Sequence, residues 1–397
     1  MSQIDYIAKL IDIEDAIVEG IVHGPSQVKI SFSLRRRIHT CPNCGTDTDM
    51  IHDYRTQYVK DIPVLGKGLL WIYRKRRYVC PVCGKKFYEN IHLLPKYHRI
   101  TNRTCFLSYL KLQDRVSEKQ VARDLNVSHS TVHRWMNMID YSKPRLLPKV
   151  LSIDEFKGNA DGEKFQCNLV DVRKKQVFDI LPTRKLNDVS HYLKSFPNAD
   201  SVEFVVMDMS RLFFETVRDA LPNATIVIDK FHVARYSNWA FENVRKRIQK
   251  NLPDNYRKYF KRSRFVLLKS SKNLTSEESA AVSTMLGFSD DLKLAYYFKE
   301  RFYDFLSSKT KAEAKQKLKE INLLLQTSGL KEYKPLITVI KNWASYILNA
   351  YDYKYSNGFT EGINNKIKVL KRVGFGYRNF DNLRRRILHI ERNKAAI

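Results

Sequence analysis

Two motifs of one form, CPNCG at Cys41 and Cys44 and CPVCG at Cys80 and Cys83, limit what this chain can fold into more than any other feature. Four thiolates brought together suit a tetrahedral Zn²⁺ at about 2.3 Å, and the glycine after each pair lets the backbone turn tightly around the metal. With all four positions filled by sulfur, no place is left for water, so the expected zinc is structural. Paired CxxC motifs predict metal rather than disulfides, while Cys105 and Cys167 stand alone and are expected as small buried side chains. The 35 residues between the pairs exceed the usual spacing. IHDYRTQYVKDIPV and GLLWIYRKRRYV are therefore expected to form an enlarged hairpin between two zinc knuckles, a zinc ribbon. A further hairpin is expected over residues 16–38, where two alternating apolar runs flank Gly-Pro-Ser.

Charge narrows the partner. The chain carries 70 Lys and Arg against 42 Asp and Glu, a net +28, far more than solubility requires. That balance predicts a polyanion, with nucleic acid the first candidate. A membrane is not expected, because the N-terminus lacks the basic start and apolar run of a signal peptide and no stretch approaches the ~20 apolar residues of a span. A soluble cytoplasmic protein is the reading. Its 397 residues, 43% of them hydrophobic, exceed what one compact domain usually needs. Around the zinc motifs, Arg74, Arg76 and Arg77 interleave with Trp71, Tyr73 and Tyr78, which predicts a DNA-backbone face; a solvated charged face is the competing reading.

Three helices are expected next, TNRTCFLSYLKLQ, SEKQVARDLN and SHSTVHRWMNMID. Ser117 with Gln120 predicts a capping box, and Ser128 predicts the cap of the third helix. Val132, Trp135 and Met136 would bury that helix and leave His129, Ser130, His133 and Arg134 outward, as in a helix-turn-helix whose last helix enters the major groove.

From residue 148 the pattern is strand-rich. PKVLSIDEFKG, a hairpin FQCNLVDVRKKQVFDIL, a helix NDVSHYLKSF, a strand VEFVVMDMS, a helix RLFFETVRDAL and a strand ATIVIDKFHV give the order β-β-β-α-β-α-β. A hairpin sheet continued by crossovers fits the ribonuclease H-like fold, whose active site gathers acids from strand ends. Asp154 and Asp208 each close an apolar run and are expected at one sheet edge. Carboxylates there suit Mg²⁺ or Mn²⁺, and two such ions about 3.5–4 Å apart can activate a nucleophile and stabilise a leaving oxyanion in phosphodiester chemistry. Glu155, Asp171 and Asp179 compete by pattern; in a regular strand Glu155 faces away from Asp154.

The ordered set of C-P-x-C-G pairs, helix-turn-helix, SIDEFKG, VVMDMS, IDKFHV and TEGINNKIKVLKR resembles the ISL3 family of insertion-sequence transposases over nearly the whole chain. The resemblance implies a DDE transposase that binds terminal inverted repeats, cuts the DNA ends and joins 3′-hydroxyls to target DNA. Carried over by motif, the triad is Asp154, Asp208 and Glu361, with Asp229 and His232 as supporting residues. Glu361 lies 153 residues beyond Asp208, so residues 236–340 are expected to be an all-helical insertion that touches DNA or a second subunit. For its run RKYFKRSRF, contact with DNA backbone or an unpaired base and a solvated helix face are equal readings.

Glu361, Asn364, Asn365 and Lys368 share one face of the expected final helix, and Ile363, Ile367 and Leu370 a nearly opposite one. Lys366, Lys368, Lys371 and Arg372 are expected to meet DNA backbone. The whole reads as a multidomain α+β chain: hairpin and zinc ribbon over 1–100, helix-turn-helix over 101–147, and the first part of a ribonuclease H-like α/β core over 148–235. The helical insertion follows over 236–340, then the final core helix and basic C-terminus over 341–397. Expected partners are double-stranded DNA, at element ends and target, and further copies of the chain as a homodimer or higher multimer on DNA, associated with the nucleoid. The rival is a zinc-ribbon and helix-turn-helix DNA-binding regulator with an inert core.

Overall fold

The structure is a computed structural model that describes residues 11–13, 15–257, 260, 263–353 and 355–392. Contacts divide the chain into two compact units, Met1–Ser142 with Val369–Ile397, and Lys143–Lys368. Among the described residues no helix is long and apolar enough to cross a membrane.

In the first unit, strands β1 (Ala16–His23) and β2 (Gln27–Leu34) form the first hairpin. The short pair β3 (His39–Thr40) and β4 (Asp47–Thr48) flanks the first knuckle, and β5 (Ile51–Val64) with β6 (Lys67–Val79) makes the enlarged hairpin. β2 runs parallel to β6, and β7 (Lys86–Tyr88) closes on β6. The aromatics of GLLWIYRKRRYV serve this sheet's core: Phe32 stacks on Tyr73 at 5.2 Å and meets Trp71 edge-on at 5.6 Å. Burying such a side chain is worth roughly 1.5–3 kcal/mol.

Helices α1 (Asn102–Lys111), α2 (Glu118–Asp124) and α3 (His129–Asn137) follow. Thr101, Ser117 and Ser128 each cap a helix by accepting a backbone N–H, and Val132, Trp135 and Met136 are buried. The capping box expected at Ser117 is only half made. Ser117 accepts from Gln120 N, but the Gln120 amide donates to Asp124 Oδ1 at 2.7 Å instead of returning to the cap.

The second unit holds the sheet β8 (Val150–Phe156), β9 (Gln166–Asp171), β10 (Gln176–Leu181), β11 (Phe204–Met207) and β12 (Thr225–Ile228), in spatial order β10-β9-β8-β11-β12. β8, β9 and β10 pair antiparallel, whereas β11 lies parallel between β8 and β12. Helices α4 (Leu186–Lys194) and α5 (Arg211–Ala220) make the crossovers. Alternation splits the strands between two cores. Leu151, Ile153, Val205, Met207, Ile226 and Ile228 face the larger core, while Val150, Val206 and Val227 pack with Ala350 on the other.

Three boundaries differ from the sequence reading. ATIVIDKFHV is strand only to Ile228. From Lys230 the chain is helix α6 (Lys230–Asn251), because Val233, Ser237, Ala240, Phe241 and Val244 recur at helical spacing and are buried. The boundary at 235/236 therefore falls inside a helix. The helical stretch continues through Asp254–Arg257 (α7), Ser263–Leu268 (α8), Ser276–Leu286 (α9), Asp290–Leu306 (α10) and Lys311–Thr327 (α11) to α12 (Lys334–Tyr353), which contains the boundary at 340/341. Asn349 of α12 donates to Ile226 O of β12 at 2.9 Å, so this helix belongs against the sheet. Next comes α13 (Gly358–Val373), and the last helix, α14 (Phe380–Arg392), groups with the helix-turn-helix instead of the sheet. Of the run 257–265, Lys258, Tyr259, Lys261 and Arg262 lie outside the described residues, and Phe260 is buried.

Candidate functional site

The four cysteines converge. Gly45 and Gly84 adopt left-handed φ of 75° and 69°, and each donates its N–H to the carbonyl of the first cysteine of its motif at 3.0 Å, so the two knuckles are copies of one turn. Cys41 Sγ lies 3.6 Å from Cys83 Sγ, and Cys44 Sγ 3.5 Å from Cys80 Sγ. Four sulfurs at about 2.3 Å from a tetrahedral centre stand about 3.8 Å apart, so the set fits zinc. Hydrogen bonds at Thr46 pull the Cys44 thiol down to about 6, toward the thiolate a metal needs. Cys167 is buried, as expected of a structural cysteine, and Cys105 is half-buried.

The basic residues beside the zinc divide. Arg74 is exposed over the Tyr54 ring at 4.4 Å, and Arg77 is half-buried beside Tyr88. Arg76 does not join them: it is buried, donates to Leu34 O at 2.6 Å, and pairs with the buried Glu89 at 3.4 Å. Alternation puts it on the same face of β6 as Arg74; what encloses it is Leu34 at the end of β2 and Glu89 just beyond β7. On α3, His129, Ser130 and Arg134 are exposed and His133 is half-buried, its Nδ1 3.0 Å from Glu118 Oε2. On α13, Lys368 and Arg372 are exposed and Lys366 and Lys371 half-buried.

Sheet register brings the acids level. Val206 pairs with Ser152 and Met207 with Ile228, so continuing one or two residues places Asp154, Asp208 and Asp229 side by side at the carboxyl ends of three adjacent parallel strands. Alternation puts all three on the face shared by Val150, Val206 and Val227. Carboxyl ends of parallel strands are where open α/β sheets bind ligands. Burial pushes the Asp154 carboxyl up to about 7, helped by the charges of Asp208, Glu155 and Glu361. Burial also raises Asp208, opposed by His232 and Arg235. One Asp208 oxygen, Oδ1, is buried with no hydrogen-bond partner. A buried oxygen left unpaired among repelling carboxylates is chemistry that a divalent cation satisfies. Among the described residues, only the four cysteines form a group of three or more whose ligand atoms lie within 4.8 Å of one another, so the acids stand wider apart than that.

Glu361 is exposed in the first turn of α13, which begins at Gly358, two residues before the expected Thr360. Its neighbour Asn364 is not on an open polar face, as its helical spacing from Glu361 predicted. It is buried with Ile363 and Ile367, and its amide donates to Asp154 Oδ2 at 2.9 Å. Asp229 Oδ2 accepts the Asn357 N–H at 2.5 Å, tying β12 to the entry of α13. The competing acids have other tasks: Glu155 pairs with Arg184, Asp171 caps the turn at Lys174, and Asp179 accepts from Tyr192. Sequence reasoning missed Asn168, although an asparagine inside the apolar run QCNLV signals a buried polar group that needs a partner.

Comparison with known proteins gives these parts first a class. Residues 37–83 match the family model described as the zinc-finger of transposase IS204/IS1001/IS1096/IS1165, and residues 89–139 the helix-turn-helix domain of transposase family ISL3. Residues 151–387 match the DDE domain of ISL3 transposases, and the DDE class implies DNA cleavage and strand transfer. The chain belongs to the ISL3 family of insertion-sequence transposases. It is 25% identical over 360 residues, 86% of each chain, to the transposase for insertion sequence element IS1001 of Bordetella parapertussis. The transposase for IS1557 of Mycobacterium tuberculosis is 24% identical over 225 residues, 51% of this chain and 48% of that one. A stretch of 113 residues, 28% of the chain, is 31% identical to a Lactococcus lactis protein named ATP-dependent protease, covering 34% of it. These matches leave the regulator with an inert core unfavoured.

Proposed function

We propose that Asp154, Asp208 and Glu361 form the catalytic triad of a metal-dependent polynucleotidyl transferase that cuts the ends of its element and joins the 3′-hydroxyls to target DNA. The observation that carries this reading is the row of strand-end acids, in which Asp154 is pushed up to about 7 and Asp208 Oδ1 has no partner. The sheet order, an antiparallel hairpin continued by two parallel strands, supports a ribonuclease H-like core. On this reading the helices from α6 through α11 are its insertion, and α12 returns the chain to the sheet. Mg²⁺ or Mn²⁺, when bound, supplies the positive charge that stabilises the attacking and leaving oxygens. The chain's own part is to hold three carboxylates around one phosphate, with His232 offsetting the charge of Asp208 and Asp229 fixing the entry of the helix that carries Glu361.

His129, Ser130, His133 and Arg134 read the element end in the major groove, and Arg74, Arg77, Lys366, Lys368, Lys371 and Arg372 hold backbone phosphates. Strand transfer at two ends calls for two or more copies of the chain on DNA, acting in the cytoplasm at the nucleoid. The test is Asp208→Asn: binding to a duplex carrying the element end should persist while cleavage with Mg²⁺ or Mn²⁺ falls to background. Undiminished cutting by that variant overturns the triad.

A further inference from the structure

Five polar side chains, Ser152, Asn168, Asn357, Thr360 and Asn364, are buried between the sheet and the start of α13. Buried polar groups are as a rule paired, and these form two ties, with Asn168 Oδ1 and Asn357 Nδ2 left without a partner. Thr360 donates to Ser152 at 2.8 Å, and Ser152 donates to Asn357 Oδ1 at 2.5 Å, which fixes the beginning of the helix. The second tie leads to the acid. Asn168 Nδ2 donates to Asn364 Oδ1 at 3.0 Å, and Asn364 Nδ2 in turn donates to Asp154 Oδ2 at 2.9 Å and to Glu155 O at 3.2 Å.

The direction of that chain is set by its end. The Glu155 carbonyl can only accept, as does the Asp154 carboxylate, so Asn364 must turn its NH₂ toward them, and its carbonyl oxygen then faces Asn168, which must donate. The other carboxylate oxygen, Asp154 Oδ1, accepts the Glu155 N–H at 2.8 Å. Both oxygens are therefore held, and the carboxylate cannot turn about its last bond without losing a buried hydrogen bond. Asn364 also stands one helical turn after Glu361, so the same bond fixes the turn and height of the helix that carries the third acid relative to the strand that carries the first.

We propose that Asn364, oriented by Asn168, is a positioning residue that presents Asp154 and Glu361 together to a divalent cation. This rests on the reading of Asp154 as a cation ligand. Partners that orient a ligand typically change metal affinity 10–100-fold when removed. The experiment measures Mn²⁺ binding to the full-length chain by the loss of the free-ion EPR signal, together with cleavage of an element-end duplex as Mn²⁺ is raised. Asn364→Ala should weaken Mn²⁺ binding about tenfold or more. Asn364→Asp, equal in shape but without the donor, should weaken it at least as much, and Asn168→Ala should weaken it less.

Raising Mn²⁺ should restore cleavage to Asn364→Ala, but not to Asp154→Asn. Zinc content and end binding should match the unsubstituted protein. Unchanged Mn²⁺ affinity in both Asn364 variants overturns the proposal, as does a lowered melting temperature with no shift in Mn²⁺ half-saturation, which marks a merely structural role. Asp154→Asn separates the two levels: if it too binds Mn²⁺ normally, the acid site itself is misassigned, whereas if it alone loses binding, only the positioning role falls.

Discussion

The zinc site of the first unit and the proposed acid site of the second both bring distant side chains together, but they are built differently. Each zinc knuckle is made by five consecutive residues whose glycine and backbone hydrogen bonds aim the sulfurs locally, so one hairpin suffices to bring the two together. The proposed triad comes from two strand ends and a helix 207 residues beyond the first of them, and the fold's own side chains fix part of it. Asp154 is held by Glu155 N and Asn364, and the helix of Glu361 by Asn357 and Thr360. A site made of local turns needs its metal to hold the turns together, whereas a site made of a packed sheet keeps its frame without metal and pays in carboxylate repulsion.

The strongest way to break this comparison is to remove zinc. Binding to structural thiolate sites reaches an apparent ~10–16 kcal/mol in small zinc domains, and that energy is folding energy. Cys80→Ser should abolish zinc uptake, collapse the β5–β6 ribbon and end binding, and leave Mn²⁺ binding in the second unit unaltered; metal analysis and limited proteolysis read each part. Retention of a protease-resistant ribbon without zinc would show that the sheet core of Phe32, Trp71 and Tyr73 suffices.

A smaller effect probes a case between the two. The helix-turn-helix looks local in sequence, yet Arg386 of α14, only 1% exposed, donates to the carbonyls of Leu112, Asp114 and Val116, where α1 ends. His389 reaches Tyr109 O at 2.8 Å, and Arg385 reaches Ile139 O at 3.2 Å beyond α3. Arg386→Met removes the donor to three carbonyls, of which that of the buried Leu112 left unpaired costs about 1–3 kcal/mol. It should lower the melting temperature of the first unit by on the order of 10 °C and weaken end binding with it. An unchanged melting curve would make the helix-turn-helix as local as the knuckles.

The smallest effect separates two neighbours in one basic run. Arg74→Ala should leave stability alone and lower the salt slope of DNA binding by about one. Arg76→Ala should leave Glu89 buried without its guanidinium and register in a lowered melting temperature, with the salt slope kept. Equal salt slopes for the two variants would return Arg76 to the DNA face.

Much of the fold was legible because it is periodic. The long β5 and β6 strands, the caps at Ser117 and Ser128, and the buried stripe of α3 follow from alternation, turn chemistry and helical spacing within a few residues. Boundaries failed where strand and helix adjoin without a turn signal, as at Asp229, where apolar TIVI runs straight into a helix. They failed again at α12, which was not read as a helix at all. Within the site, the pairing of Asn364 with Asp154 stayed hidden because Glu361 three residues before it made the face look solvent-facing.

By itself, the sequence determined the zinc ligands, the helix-turn-helix, the parity that sets Asp154 apart from Glu155, and the family, because these depend on residue type and spacing over one or two turns of chain. Only the tertiary structure decided that Arg76 lies inside, that α14 completes the helix-turn-helix, and that Asn168 and Asn364 hold Asp154. Those outcomes depend on which segments distant in sequence share a buried contact, and a buried polar group is satisfied by whatever partner the fold brings to it.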